Sequence, residues 1–304
     1  MLDGLVGHER LVERLVIALL TGGHVLIEGP PGVAKTRAVK RLAAGLEGTF
    51  ARIQCTPDLM PGDLIGIQVF RPERGVTEFV EGPVFHSLVL VDEINRAPPK
   101  VQSALLEAMA EHQVTIAGTT RALPDPFMVV ATQNSIEHEG TFPLPEAQLD
   151  RFLLRVVLDL PDAATELKVL ELVESEGMRP TAALERTISH AELTQMRAQV
   201  ARIHLSPAVK DYIVRIVTAT RTGGPTEIAG RIEHPVSPRG SIALAASARA
   251  RAYLDGRDYV GPDDVSDLAV DVLAHRLIPT WQAIAGGDTQ RDMIEAVLRT
   301  VPPL

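Results

Sequence analysis

The sequence predicts an α/β protein: a parallel sheet flanked by helices, followed by a small all-α domain. Three observations carry that expectation. A short apolar run, His24–Ile27, leads through a glycine-bearing turn into Lys35-Thr36 and a helical pattern. Continuous apolar runs at Ser87–Val91 and Phe127–Thr132 suit strands buried on both faces, as a parallel sheet requires. From Asp162 onward the β-signal disappears and helical periodicity takes over.

Composition sets the outer limits. A chain of 304 residues allows about two domains and an ample core. The longest apolar runs, such as Leu88–Val91 and Phe127–Ala131, are far too short to span a bilayer. Met1-Leu-Asp-Gly4 lacks a basic region followed by an apolar one, so no secretory leader is expected. A single cysteine, Cys55, excludes an internal disulfide and fits a reducing cytoplasm. At a predicted strand end it reads as a small core residue rather than a nucleophile. The net charge of −9 argues against a general nucleic-acid binder, which needs a basic face to displace phosphate counterions.

Taken in order, Val6-Gly7-His8 precedes an amphipathic helix carrying Leu11, Val12, Leu15, Val16, Leu19 and Leu20 on one face, stopped by Gly22-Gly23. The strand His24–Ile27 and a helix over Arg37–Leu46 follow. Thr49–Cys55 reads as a second strand after the Gly48 stop. Residues Pro57–Pro83 are punctuated by Gly and Pro around two β-like pieces, Ile65–Phe70 and Val76–Val80, and have hairpin character. The strand Ser87–Val91 precedes a helix over Lys100–Glu111. His112–Leu123 alternates as a second hairpin, with Gly118-Thr119 at its tip. Pro145–Phe152 is a short helix leading to the strand Leu153–Leu160.

Helices are then expected over Glu166–Glu174, Ala191–Ile203, Pro207–Thr220, Pro238–Leu254, Pro262–Leu277 and Gln290–Arg299. Ser206-Pro207 and Ser237-Pro238 both read as an N-cap followed by Pro at the first helical position. A Gly/Pro-rich loop, Thr222–Val236, separates two of these helices.

The chemistry concentrates at strand ends. Gly29-Pro30-Pro31-Gly32-Val33-Ala34-Lys35-Thr36, with Arg37 next, lies between a strand and a helix start. Unpaired amides and the positive end of the dipole suit phosphate there. Glycines let the loop curl its N–H groups toward the anion. Lys35 would reach the β/γ-phosphates and the Thr36 hydroxyl would ligate Mg²⁺. The strict pattern has Gly where this chain has Ala34, a departure that ordinary helical dihedrals would accept. Lys35 in a first helical turn is otherwise disfavoured by the dipole.

Asp92 and Glu93 end the apolar run at Val91, where open α/β sheets bind ligands. After a phosphate loop, the first acid would hold Mg²⁺ and the second would position or deprotonate a water. Asn134 ends the next strand. Residue type alone favours a turn cap; its place favours an amide bonding the γ-phosphate or the water. Arg151 reads either as a surface partner of Asp150 or Asp159, or as a finger reaching a neighbouring subunit. Arg239, in a helix's first turn, is either an exposed arginine tolerated at little cost or one facing an anion.

These parts, in this order, resemble the AAA+ ATPases and within them the MoxR family. The matching stretches are Gly29–Thr36, Arg52–Leu59, Glu81–Phe85, Val91–Ala97, Ala131–Asn134 and Leu149–Phe152, with Ser237-Pro-Arg239 anchoring the helical half. MoxR-like sequences also tend to carry Ala before the loop lysine. The resemblance implies a nucleotide-binding α/β domain over 1–187, with a helix-2 insert at about 57–83 and a pre-sensor-1 hairpin at about 112–123, and a helical lid over 188–304. It implies Lys35 and Thr36 as Walker A, and Asp92 and Glu93 as Walker B. Asn134 would be sensor 1, Arg151 an arginine finger acting in trans, and Arg239 sensor 2, while Val6 and Gly7 would border the adenine. It further implies ATP and Mg²⁺, a hexameric ring, a von Willebrand factor A-domain partner, and chaperone-like maturation of protein clients or metal and cofactor insertion.

Three other readings share part of the pattern: a magnesium-chelatase-like subunit, a nucleic-acid motor, and a nucleotide-sensing scaffold without turnover. Against the motor, Pro61–Gly82 sets Arg71 and Arg74 against Asp63, Glu73, Glu78 and Glu81, whereas a strand-tracking channel needs basic loops. Glu111–Asp125 sets Arg121 against two acids. Glu93 and Arg151 together speak against the scaffold.

Overall fold

The computed structural model describes residues 6–134, 140–178, 187–221 and 224–303. The N-terminal stretch Met1–Gly4 and the start of the loop Thr222–Val236 lie outside the described residues. The chain forms two compact units, one of Met1–Leu144 with Val156–Leu193, the other of Pro145–Arg155 with Thr194–Leu304.

The first unit begins with α1 (Glu9–Thr21), closed by Gly22 in the left-handed region, and β1 (Val25–Glu28). Helix α2 (Lys35–Ala44) starts two residues earlier than periodicity suggests, and β2 spans Phe50–Gln54. The insertion contains a short helix, α3 (Pro61–Ile65), that hydrophobic spacing does not reveal, then β3 (Gly66–Arg71) and β4 (Val76–Glu81), paired antiparallel. Strand β5 (Leu88–Asp92) is buried throughout, and α4 (Pro99–Glu111) follows it. Strands β6 (Gln113–Ile116) and β7 (Thr119–Ala122) form the second hairpin. Its tip is Ala117-Gly118 rather than Gly118-Thr119, because Thr119 already pairs with Ile116 while Ala117 and Gly118 both take positive φ. Two central residues with positive φ match the right-handed strand twist.

Strand β8 (Met128–Gln133), the short helix α5 (Glu146–Leu149), β9 (Leu154–Val157) and α6 (Ala163–Met178) complete the α/β part of the chain. The sheet runs β2-β5-β8-β1-β9, with the β2–β5, β5–β8 and β8–β1 pairings parallel. Its inner strands β1, β5 and β8 are the near-continuous apolar runs, buried because helices cover both faces. Their C-terminal ends lie along one edge, so everything following them is gathered there.

The second unit contains most of α7 (His190–Arg202), then α8 (Pro207–Ala219), a three-residue strand β10 (Ile232–His234), α9 (Pro238–Leu254) and α10 (Pro262–Leu273). It ends with β11 (Ile278–Pro279), α11 (Trp281–Ala285) and α12 (Gln290–Thr300). The expected all-α character therefore holds except for a ribbon of β10 against β11, too short to leave a period-2 signal. The helix expected to reach Leu277 stops at Leu273 and tightens into a 3₁₀ turn over Ala274–Arg276. Tyr212, Ile216, Leu244, Leu268, Val272 and Ile294 build its core. Ser206 caps as expected, its Oγ accepting from Val209 N at 3.2 Å. Ser237 occupies the equivalent position, but its buried hydroxyl has no hydrogen-bond partner among the described residues. Proline at the first helical position sets that helix start without the side-chain cap.

Candidate active site

The loop between β1 and α2 is shaped by close approach. A Cβ on Gly29 would stand 2.7 Å from the Leu158 carbonyl oxygen, so glycine is required there. Gly29 N donates to Gln133 O at 3.3 Å, which ties the loop to β8. Gly32, at φ 86°, has open space where a Cβ would point. Pro30 and Pro31 contribute no amides. Among the described residues, the N–H groups of Gly32 to Thr36 find no backbone acceptor, which leaves a concave set of donors at a helix start. Such a donor set, with space beside Gly32, fits a chain of phosphates.

Ala34 corrects one expectation. It sits at φ 52°, ψ 20°, in the left-handed region rather than in helical dihedrals. An L-residue with a Cβ is strained there by roughly 1–2 kcal/mol. The strict motif's glycine would relieve that strain; this chain keeps it.

Lys35 Nζ donates to Gly29 O at 2.7 Å and to Gln133 O at 3.3 Å. Burial pushes its ammonium below the usual lysine range, while Asp92, Glu93 and Glu28 pull it back up. It is a desolvated cation held at the loop's mouth by carbonyls, the arrangement that an arriving anion would satisfy better.

Asp92 is buried at the end of β5. Its Oδ2 accepts from Arg52 Nε at 2.6 Å, and its Oδ1 accepts from the Thr132 hydroxyl at 3.1 Å. Glu93 follows at φ 57°, a left-handed residue that turns its side chain away from the strand line. Its N–H donates to the same Thr132 hydroxyl at 3.0 Å. Thr132 thus accepts from one acid's backbone and donates to the other's carboxylate. The Glu93 carboxylate accepts from Gln54 Nε2 at 2.9 Å and lies 3.3 Å from Arg96 Nε. Cys55 is a buried core residue as expected, its thiol pushed up to about 12 mainly by burial and then by Asp92 and Glu93. A protonated thiol of that kind is inert. Asn134 is buried just beyond β8, on the same edge.

The structure therefore brings Gly29–Thr36, Asp92, Glu93 and Asn134 together at one sheet edge. Thr132, Arg52, Gln54 and Arg96 join them; all four lie inside the stretches that carry the resemblance, which assigned them no role. Register would have found two of them: Gln54 pairs with Asp92 across β2–β5, and Arg52 lies one inter-residue alternation before it. Gly7 faces α6, since a Cβ there would meet Thr165 Cγ2 at 2.6 Å. Among the described residues no three His, Cys, Asp or Glu side chains converge as a metal cage. Mg²⁺ held between phosphates needs only one or two protein oxygens, and Thr36 with Asp92 supplies that donor chemistry.

Arg151 and Arg239 belong to the second unit. Arg151 is exposed after α5. Arg239 Nη1 donates to Asp150 Oδ2 at 3.2 Å, and its side chain is 69% exposed. Asp150, one of the two surface partners weighed for Arg151, accepts from Arg239 through one carboxylate oxygen and from Arg276 through the other.

A parallel β2-β5-β8-β1-β9 sheet with a phosphate-type loop after β1 and adjacent acids after β5 defines a P-loop ATPase of the AAA+ class. Residues 24–154 match the model of the ATPase family associated with various cellular activities, and residues 225–297 match an AAA lid domain. The chain is 45% identical to the chaperone MoxR1 of Mycobacterium tuberculosis over 98% of its own length and 78% of that protein. It is 33% identical to the protein MoxR of Methylorubrum extorquens, over 98% of this chain and 91% of that one. A crystal structure of a Cytophaga hutchinsonii protein described as an ATPase superposes with a TM-score of 0.89 at 43% identity, covering 99% of this chain and 91% of that one. The chain belongs to the MoxR family of AAA+ ATPases.

Proposed function

We propose that this protein hydrolyses ATP in a Mg²⁺-dependent reaction at the subunit interfaces of a ring, hexameric as in its family, and uses the cycle to remodel or mature protein clients. The observation that carries the reading is the run of five amides, Gly32 to Thr36, that find no backbone acceptor among the described residues, on the edge that also holds Asp92 and Glu93. The α/β domain over 1–187 binds the nucleotide and the helical domain over 188–304 is its lid. Val6 and Gly7 border the adenine, with Thr165 of α6 beside them. Gly29, Pro30, Pro31, Gly32, Val33 and Ala34 shape the phosphate cradle, and Arg37 lies just inside the helix. Lys35 exchanges its bond to Gly29 O for phosphate oxygens.

Thr36 and Asp92 would hold Mg²⁺, which would supply positive charge against the phosphates. Glu93 must leave Gln54 and Arg96 to accept the proton of the attacking water, and Asn134 orients that water or the γ-phosphate. Arg151 acts on a neighbour's nucleotide, where such fingers contribute ~10³–10⁵ in rate. Arg239 on the lid senses the nucleotide state.

A protein client is favoured over nucleic acid by the β3–β4 hairpin. Met60 beside it and Ile67, Phe70, Val76 and Val80 on it are exposed, and Ile67 stands directly across from Val80. Leu167, Leu170 and Val173 of α6 are also exposed on the single chain, an apolar face suited to cover by a neighbouring subunit. Among the described residues no helix is long and apolar enough to cross a membrane. We place the protein in the cytoplasm, working beside a von Willebrand factor A-domain partner.

Two substitutions test the site. Glu93→Gln should keep ATP binding and abolish turnover, and Arg151→Ala should bind ATP and lose turnover as well. Parent-like hydrolysis by both variants would reject the assignment.

A further inference from the structure

We propose that Arg276 is a positioning residue for Arg151, acting through the Asp150 carboxylate that it shares with Arg239; this rests on the reading of Arg151 as the finger. Arg276 ends the 3₁₀ turn after α10, and its side chain is 4% exposed. Its Nε donates to Val272 O at 2.8 Å, which fixes the guanidinium plane against its own helix. Nη1 donates to Asp150 O at 2.9 Å and also to Asp150 Oδ1. Nη2 donates to Phe152 O at 2.8 Å. One planar fork therefore grips the backbone carbonyls on both sides of Arg151.

The anchoring is doubled next door. His275 Nε2 lies 3.0 Å from the same Phe152 oxygen, and the Phe152 ring is fully buried. Burial pushes the Arg276 guanidinium down, and Asp150 counters it. The pair is thus a hidden cation balanced by one carboxylate. That carboxylate's other oxygen accepts from Arg239, which is largely exposed. Asp150 is the joint: one oxygen faces the candidate lid sensor, the other the clamp that sets the Arg151 backbone.

A finger contributes only if its charge lies where the transition state builds charge, and a misplacement of about 1 Å can cost ~10²-fold. Lysine at 276 would keep the charge but cannot bridge two carbonyls and a carboxylate from one plane. The test is a double-mutant cycle in the full-length protein, with Arg276→Lys and Arg151→Ala alone and combined. It reads kcat, KM for Mg-ATP, equilibrium ATP affinity and melting temperature. Arg276→Lys should lower kcat by about ten- to a hundredfold and leave ATP affinity within about twofold. The double variant should fall no further than Arg151→Ala, because residues acting through one group do not add.

Parent-like kcat in Arg276→Lys, or losses that multiply in the double variant, overturns the proposal. Parent-like kcat in Arg151→Ala instead removes the finger reading beneath it. If Arg276→Lys does not fold, Asp150→Asn takes its place in the same cycle; it retains an acceptor for Arg276 but drops the shared charge. The same non-additivity supports the proposal, and multiplied losses reject it.

Discussion

Two carboxylates, one in each unit, are each held by an arginine, and they are held for opposite ends. Asp92 meets Arg52, whose side chain is 46% exposed, and otherwise depends on the sheet: Thr132 comes from the adjacent strand and grips both acids. Asp150 sits between Arg239 and a hidden Arg276, contributed by two different helical segments. Each pair has one buried member, but Asp92 keeps the Thr132 hydroxyl when the half-exposed Arg52 is removed, whereas Asp150 is what balances the hidden charge of Arg276. Asp92 is thus located by backbone register and keeps its charge available for a metal. Asp150 is committed to structure, and the geometry around Arg151 depends on it.

The largest break in that contrast should come from acid. His24 in the first unit and His275 in the second are buried and held neutral. For His24, Val129 N donates to Nδ1, which leaves Nε2 to donate to Met109 O. Burial lowers it from 6.5 to about 4, with His112 adding to the fall. His275 is lowered to about 3 by burial first and by Arg276 second. Above pH 6.5 neither state takes up a proton. As pH falls below that value the unfolded chain binds protons that the folded chain refuses, so stability is lost down to the folded values. The His24 share is on the order of 3 kcal/mol, and the unit holding His275 should be the more sensitive. Thermal melting across this window checks it, and His24→Gln should flatten part of the slope. A slope unchanged by that substitution assigns the acid response elsewhere.

Asp150→Ala comes next. It strands the Arg276 cation and should cost about 3 kcal/mol, whereas Arg52→Ala leaves the buried Asp92 its Thr132 hydroxyl and should cost less. Denaturant unfolding of both variants measures the difference directly; equal losses would erase the distinction between the two carboxylates. The smallest effect is a gain. Ala34→Gly removes the left-handed strain but adds unfolded-state entropy, so it should stabilise by at most about 1 kcal/mol. A loss of stability in that variant would mean that the loop is not strained at Ala34.

Much of the first unit was legible because its signals are local. Strand runs such as Leu88–Val91, helix stops such as Gly22, and acids directly after a strand are readable within a few residues, and a parallel sheet gathers strand ends on one edge. The Ala117-Gly118 tip shifted by one residue because register, not composition, decides which residues turn. The β10–β11 ribbon left no trace, since two or three residues carry no period. Thr132 escaped because a threonine inside an apolar strand looks like any β-branched residue until its neighbours are known.

Sequence alone determined the fold class, the order of the strand-end chemistry and the run Gly29–Thr36, since each rests on periodicity or on adjacency along the chain. Only the tertiary structure decided that Ala34 is left-handed, that one hydroxyl joins Asp92 to Glu93, and that Asp150 serves Arg239 and Arg276 across separations of 89 and 126 residues. A long side chain's partner is chosen by what folding brings within about 3 Å, and no window along the chain contains that choice.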